Sequence, residues 1–282
     1  MKTLIEKANV LNEALPYIRK FYGKTFVIKY GGAAMVEEKL KDIFAQDIVL
    51  LNFIGIKPVI IHGGGPMINE IMKKMGKKPT FIHGQRVTDK ETIDIVEMVL
   101  GGLINKEIVA LINSHGGRAI GLSGKDGSLI NAKKKVVKKL SADTGASEII
   151  DLGLVGEVEK INPSIILSIQ KDGFIPVIAP IGAGHKNETL NINADYVAGA
   201  VAAALKAEKL ILLTDTKGIM DENKKLISTL NKTKIKSLVS KNIISGGMLP
   251  KVQACQKAIT GGVKKTHIID GRIPHALLLE IF

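Results

Sequence analysis

Apolar residues recur along this chain in two rhythms, and the switch between them marks out the elements. In residues 1–22, Leu4, Ala8, Leu11, Leu15 and Ile18 return at helical spacing. That predicts a separate amphipathic helix, with a kink or break at Pro16. From residue 25 onward, short apolar runs alternate with helical patterns. The runs are Phe26-Val27-Ile28, Val59-Ile60-Ile61, Ala119-Ile120-Gly121-Leu122, Ile175-Pro176-Val177-Ile178, Leu210-Ile211-Leu212-Leu213 and His267-Ile268-Ile269. The helical patterns span about 36–54, 66–76, 89–113, 163–171, 194–206 and 249–260. Thr88-Asp89-Lys90-Glu91 reads as a capping box opening the third of these. Apolar strands spaced by helices predict an α/β fold, a mainly parallel sheet covered on both faces.

Residues 123–160 break the rhythm. Rich in Lys, Ser, Gly and Val, they predict hairpins, a flap beside the main sheet. The expected organisation is an N-terminal helix, 1–22, and two lobes, 23–187 and 188–282. The boundary between the lobes falls at the loop Gly182-Ala183-Gly184-His185-Lys186-Asn187.

Composition narrows the class. A chain of 282 residues can fold around its own core without disulfides. The single cysteine, Cys255, excludes a disulfide framework or thiolate zinc site within the chain and reads as a packing residue. No apolar run approaches the ~20 residues of a membrane helix. The N-terminus lacks a signal pattern and carries Glu6 and Glu13 among its lysines, unlike a transit peptide. The expected location is the cytoplasm, or an organelle stroma if the chain is encoded there. Net charge is +13, which suits nucleic acid but equally nucleotides and small acids. Aromatics are only 4%, with no Trp, poor material for stacking on nucleic-acid bases. The basic run Lys133-Lys134-Lys135-Val136-Val137-Lys138-Lys139 reads as a solvated hairpin face. A basic nucleic-acid-binding or regulatory protein is therefore the minor alternative.

Two glycine-rich loops follow apolar strands: Lys29-Tyr30-Gly31-Gly32 and His62-Gly63-Gly64-Gly65-Pro66. In open parallel sheets ligands sit beyond the carboxyl ends of strands. Glycines there let successive N–H groups form an anion nest, and Pro66 suits the first position of a helix pointing at the same ligand. One such loop is as well explained as an ordinary turn, whereas two favour a phosphate or carboxylate site. The signatures G-x-x-x-x-G-K-[ST] and G-x-G-x-x-G and the protein-kinase set are absent, so the site is of another kind. Lys29 would give a phosphate its point charge. Lys251, after Gly246-Gly247, sits in the first turn of a helix, where a cation is mildly unfavourable unless an anion is near. Asn193 or Asp195 caps the helix that follows, or the set Asn191, Asn193 and Asp195 binds a polar substrate. Arg86 could clamp a carboxylate. Histidines 62, 83, 115, 185, 267 and 275 show no metal-ligand spacing, and no nucleophile–base pair stands out. Phosphoryl transfer to a carboxylate needs no base, because that acceptor is already ionised.

The ordered motifs Lys29-x-Gly-Gly, His62-Gly-Gly-Gly, Gly84-x-Arg86-Val-Thr, Asn191-x-Asn193-Ala-Asp195, Leu213-Thr-Asp215-x-x-Gly218 and Gly246-Gly-Met-x-x-Lys251 resemble the amino-acid kinase family over residues 7 to 282. Arg86, Asn191–Asp195 and Lys251 match its members acting on N-acetyl-L-glutamate; glutamate, aspartate or UMP are the alternative acceptors. The resemblance implies a three-layer αβα sandwich with an acyl-amino-acid lobe and an ATP lobe. It also implies transfer of the γ-phosphoryl group of ATP, with Mg2+ arriving on the nucleotide and no metal held by the protein alone. By motif, Lys29 and Lys251 stabilise the transition state and Asp195 organises them. Gly64, Gly65, Arg86, Asn191 and Asn193 hold the acceptor. Gly31, Gly32, Thr214, Asp215, Gly218 and Met220 lie along the nucleotide.

The N-terminal helix resembles that of arginine-inhibited members, which implies a homo-oligomer, a hexamer built as a trimer of dimers. Tyr17, Lys209, His267 and Glu280 match the inhibitor pocket. A PII-type nitrogen sensor is a candidate partner by the same resemblance. Two departures stand out. The chain given ends at Phe282, before a short glycine-containing segment usual in the family, which leaves the arginine response open. Ala33 also stands where Ser or Asn commonly follows the glycines.

Overall fold

The computed structural model describes residues 2–82, 84–140 and 147–282. His83, one of the histidines considered above, lies outside the described residues. The chain begins with α1 (Lys2–Phe21), β1 (Thr25–Tyr30), α2 (Glu38–Phe53), β2 (Lys57–His62) and α3 (Gly65–Lys74). A small hairpin, β3 (Phe81–Ile82) and β4 (Gln85–Arg86), leads to α4 (Lys90–Glu97), a π-helical stretch Met98–Ile104, and α5 (Asn105–Ser114). Then come β5 (Ala119–Ser123), β6 (Ile130–Lys134), β7 (Val137–Leu140), β8 (Ser147–Ile150), β9 (Gly156–Ile161) and α6 (Ser164–Lys171). The last part holds β10 (Ile175–Ala179), β11 (Ile181–Ala183), β12 (Thr189–Asn191), α7 (Ala194–Ala204), β13 (Lys209–Thr214), α8 (Lys232–Ser240), α9 (Met248–Thr260), β14 (Lys265–Asp270) and α10 (Ala276–Ile281).

Six strands form one parallel sheet in the order β14-β13-β1-β2-β10-β5. Side chains alternate across it, because successive residues of a strand point to opposite faces. Phe26, Ile28 and Tyr30 of β1 pack into the layer of α2, α3, α5 and α10, with Phe44, Ile48, Ile68, Ile112 and Leu277. Val27 packs into the other layer, with Val197, Val201, Ala254 and Ala258 of α7 and α9. Both faces are covered, so the strands read as continuous apolar runs. This is the expected α/β sandwich. Cys255 is buried in the α7–α9 layer, and burial pushes its thiol up to about 11, in keeping with a packing role.

The expected flap is a second, mixed sheet, β12-β11-β6-β9, plus the β7–β8 hairpin. The glycine-rich loop at 182–187 falls in the β11–β12 hairpin, whose strands pair antiparallel within that sheet. Two local expectations need correction. The helix at residue 90 is capped by Asp89, not Thr88: Asp89 Oδ1 accepts from the Thr92 amide at 2.7 Å. Thr88 turns inward instead and donates to the Arg86 carbonyl at 3.0 Å. Helix α1 also runs unbroken through Pro16. Its Leu4, Leu11 and Leu15 stay exposed, so one protomer leaves that stripe uncovered. Among the described residues no helix is long and apolar enough to cross a membrane.

Candidate active site

Strand register builds the site. In the β1–β2 pair Tyr30 lies opposite His62, so the two glycine loops leave the carboxyl edge of the sheet side by side. On the other flank of β1, Lys29 lies opposite Leu212, and β13 ends nearby at Thr214. The two glycine loops open onto a cleft of about 680 Å³. Its lining includes Lys29, Gly31, Gly32, Gly64, Gly65, Arg86, Asn191, Asn193, Asp195 and Lys251. Every catalytic and acceptor-binding residue expected from the sequence therefore meets in one place.

Alternation sends Lys29 to the face of Val27, the side of α7 and α9. There Asp195, in the first turn of α7, meets Lys251, in the first turn of α9. The two helices cross closely at small residues: a Cβ on Gly199 would come 2.7 Å from the Ala254 carbonyl oxygen. Lys251 Nζ donates to Asp195 Oδ2 at 2.9 Å, and Lys29 Nζ lies 3.3 Å from Oδ1. Asp195 is 4% exposed and Lys29 8%. Burial by itself would raise the Asp195 carboxyl, but the two ammonium groups outweigh it and hold the group below the usual range. Burial prevails at Lys29 and lowers its pKa despite the Asp195 charge. Asp195 Oδ1 has the ion pair but no hydrogen bond among the described residues. Two cations thus share one anion, with a net positive charge facing the glycine loops.

Across the cleft Arg86 is 8% exposed. Its guanidinium donates to Asn69 Oδ1 at 2.6 Å and to the Gly65 carbonyl at 3.2 Å, and stacks over the Phe81 ring at 4.8 Å. Its pKa is lowered by burial, with no carboxylate contributing among the described residues. A desolvated guanidinium left without a counter-ion is a site for an anionic ligand. Asn191 Nδ2 donates to Thr88 Oγ1 at 3.3 Å, and that hydroxyl donates to the Arg86 carbonyl, which ties Asn191 to the end of β4. Asn193 is the cap of α7: its Oδ1 accepts from the amides of Asp195 at 2.9 Å and Tyr196 at 3.4 Å.

Of the expected nucleotide residues, Gly31 and Gly32 line this cleft, whereas Thr214, Asp215, Gly218 and Met220 lie beyond its lining. A Cβ on Gly32 would sit 3.2 Å from the Asp215 amide nitrogen, so that loop and the end of β13 touch. Thr214 Oγ1 donates to Asp215 Oδ1 at 3.2 Å, and Met220 bridges to Leu226 beyond Gly218. The expected inhibitor set lies at the opposite end of β13. There Lys209 Nζ donates to Glu280 Oε1 at 3.2 Å, His267 Nδ1 meets the same oxygen at 2.8 Å, and Tyr17 packs edge-on against Phe282.

The His62 imidazole, which shows no metal-ligand spacing in the sequence, has a structural place beside the glycines. It is fully buried, its Nδ1–H donates to the Gly63 carbonyl at 2.8 Å, and its Nε2 accepts from Asn105 Nδ2 at 3.3 Å. Asn105 also donates to the Val177 carbonyl at 2.9 Å. Burial pushes His62 down to about 4, so the ring is neutral and serves as a strut between the second glycine loop and α5. A histidine before glycines and an asparagine inside a helix give no signal, in one sequence, that they pair.

The amino acid kinase family pattern matches residues 24–270. The acetylglutamate kinase of Syntrophus aciditrophicus (strain SB) is 58% identical over 98% of this chain and 94% of its own length. That of Syntrophobacter fumaroxidans is 57% identical over 99% and 94%. Among solved structures, N-acetylglutamate synthase from Neisseria gonorrhoeae complexed with coenzyme A and N-acetyl-glutamate aligns with a TM-score of 0.80 at 26% identity. The alignment covers 96% of this chain and 60% of that one. Carbamate kinase from Giardia lamblia bound to AMP-PNP shares the fold at a TM-score of 0.61 and 17% identity, over 88% of this chain and 93% of that one. With a family match across the whole sheet and more than half of all residues identical to acetylglutamate kinases along nearly the full chain, this chain belongs to the amino acid kinase family, on its acetylglutamate kinase branch.

Proposed function

We propose that this protein transfers the γ-phosphoryl group of ATP to the side-chain carboxylate of N-acetyl-L-glutamate, making an acyl phosphate on the way to arginine. The observation that carries the reading is the meeting of Lys29 and Lys251 on Asp195, opposite a buried Arg86 that has no acidic partner among the described residues. The two ammonium groups neutralise the charge that spreads over the oxygens in transit. Asp195 keeps the lysines together while leaving them net positive. Gly31 and Gly32 amides face the ATP phosphates, and Gly64 and Gly65 amides stand between the transferring group and the acceptor. Arg86 takes the acceptor's α-carboxylate and Asn191 its acetamido group, while Asn193 holds the start of α7 in place. The acceptor carboxylate attacks as the anion it already is, so no side chain has to remove a proton.

Among the described residues no group of three His, Cys, Asp or Glu could hold a metal ion, and Asp195 is already engaged by two lysines. That donor set suits Mg2+ arriving on the ATP phosphates as part of the substrate. Thr214, Asp215, Gly218 and Met220 would follow the rest of the nucleotide. On this reading residues 23–187 form most of the acyl-amino-acid side and 188–282 most of the ATP side, with Asn191 reaching across to the acceptor and Gly31 and Gly32 to the ATP phosphates.

The exposed stripe of α1 supports assembly into a hexamer, and the cluster of Lys209, His267 and Glu280 beside Tyr17 supports an arginine pocket remote from the cleft. A hydroxamate trap for acyl phosphate, run with ATP, Mg2+ and N-acetylglutamate, glutamate or aspartate in parallel, tests the activity, with ADP release measured for UMP. Product with N-acetylglutamate alone is expected, and none with it would sink the assignment.

A further inference from the structure

The cleft contains a cation that the transfer above does not use. Lys135 follows β6, and its amide donates to the Val155 carbonyl at 2.8 Å. Val155 in turn bridges to Asn191, so Lys135, Val155 and Asn191 lie on three adjacent backbone segments. This places Lys135 on the rim of the second sheet, and its side chain lines the cleft. Its Nζ stands 5.2 Å from the centre of the Tyr196 ring. Tyr196 follows Asp195 directly, and its hydroxyl donates to Gln253 Oε1 at 2.6 Å. One aromatic ring therefore joins the lysine of the flap to the two helices that carry Asp195 and Lys251.

The surroundings of Lys135 differ from those of Lys133, two residues earlier in the chain. Lys133 is exposed and pairs with Glu157 at 3.3 Å. Lys135 is partly buried and, among the described residues, has no carboxylate within ion-pair distance; Glu157, the acid whose field reaches it, is the one Lys133 holds. Burial lowers its pKa. A π face steadies an ammonium without neutralising it. The charges acting on Lys29 are Asp195, Lys251 and Asp215, and those acting on Asp195 are the two lysines; Lys135 stands outside that group. Its place is the wall of the cleft rather than the point of transfer.

We propose that Lys135, steadied by Tyr196, binds an anionic oxygen of a substrate at the mouth of the cleft, a carboxylate or a phosphate. The proposal rests on the reading that acceptor and nucleotide meet in this cleft. It assigns a binding role, so the effect belongs in KM.

The test compares wild type with Lys135→Met, Lys135→Arg, Tyr196→Leu and, as a control on the same flap, Lys133→Met. KM for ATP and for N-acetylglutamate is measured for each at two salt concentrations, with a thermal midpoint. Lys135→Met is expected to raise one KM by about tenfold, the scale of one charge-assisted hydrogen bond. Its kcat should stay within about twofold and its salt dependence should be weaker. Lys135→Arg should keep most of the affinity, Tyr196→Leu should fall between, and Lys133→Met should match wild type. The substrate whose KM moves identifies the anion as carboxylate or phosphate. An active wild type with both KM values unmoved in Lys135→Met overturns this assignment alone. An equal change in Lys133→Met, or a fall in thermal midpoint with no KM change, also overturns it. An inactive wild type removes both this assignment and the function on which it rests.

Discussion

The two glycine loops leave adjacent strands in register, yet they need glycine for different physical reasons. In the first, Gly31 lies under the Lys29 ammonium, and a Cβ there would collide with Nζ and come 2.9 Å from Cε. Gly32 has φ +72 and sits against the backbone of Thr214 and Asp215, so both its conformation and its space exclude a side chain. This loop is shaped by a charge and by the neighbouring strand. In the second, Gly64 has extended backbone and is shut in by helix packing: a Cβ would strike Leu100 and come 2.6 Å from Ile104 Cδ1, both on or beside the π-helical turn. Gly65, one residue on, meets nothing within 4 Å. The lesson is that a run of glycines is not one feature. Gly31 and Gly64 make room for protein atoms, whereas Gly65 faces open space.

The largest way to break the first loop is to remove the charge it was shaped around. Lys29→Met, or Asp195→Asn, should lower kcat by about 10²–10³, the scale of losing one preorganised electrostatic partner. Circular dichroism should stay unchanged and the second-loop contacts to the acceptor should persist as an unaltered acceptor KM. A KM effect without a kcat effect would place Lys29 in binding rather than in transfer.

Glycine substitutions divide the loops next. Gly64→Ala should destabilise the fold by about 1–3 kcal/mol through overpacking against Leu100 and Ile104, measured by urea unfolding. Gly31→Ala displaces only the far end of a flexible side chain, so it should unfold like wild type while kcat falls about tenfold. Similar stability losses in both variants would erase the contrast between the loops.

A smaller effect is in the pH profile. Burial lowers the Lys29 pKa, so its ammonium is lost at lower pH than that of an ordinary lysine. The kcat should therefore decline with rising pH at a point below the usual lysine range. Lys29→Arg, whose charge does not titrate there, should abolish that limb. A decline unchanged in Lys29→Arg would assign it to another group.

The smallest effect is expected at Gly65. Gly65→Ala should leave stability within about 0.5 kcal/mol, as for a position without neighbours. It should raise the acceptor KM several-fold, because the added methyl enters ligand space. A marked fall in stability would show that this glycine too is held by the protein.

Much of this was legible because burial leaves a periodic trace. The six central strands were located by their apolar runs, each within a few residues of its observed limits. Helices α2, α3, α6, α7 and α9 were visible by spacing for the same reason. Two helices left no such trace. Lys232–Ser240 is lysine-rich and buries only Leu238, and Ala276–Ile281 is too short to show a period. The pattern at 89–113 read as one helix, and the π-helical turn at Met98–Ile104 inside it has the same apolar spacing as α-helix over so short a stretch. The capping box failed by one residue because Thr88 had a competing partner in the Arg86 carbonyl. Lys135 was hidden because nothing in a run of lysines marks it as partly buried while Lys133 and Lys134 are exposed.

What the amino-acid order determined by itself is the set of strand ends and the residues placed on them: Lys29 and His62 at the carboxyl edge, and Lys251 in a first helical turn. Local rules of alternation, capping and glycine conformation suffice for that. Only the tertiary structure decided which of them meet. Lys29, Asp195 and Lys251 come from distant parts of the chain, and their contact depends on the face Lys29 takes in β1 and on the close crossing at Gly199 and Ala254. That crossing is a packing outcome, which no short stretch of sequence records. The same is true of the two glycine loops, alike as text and distinguished only by the neighbours that close around them.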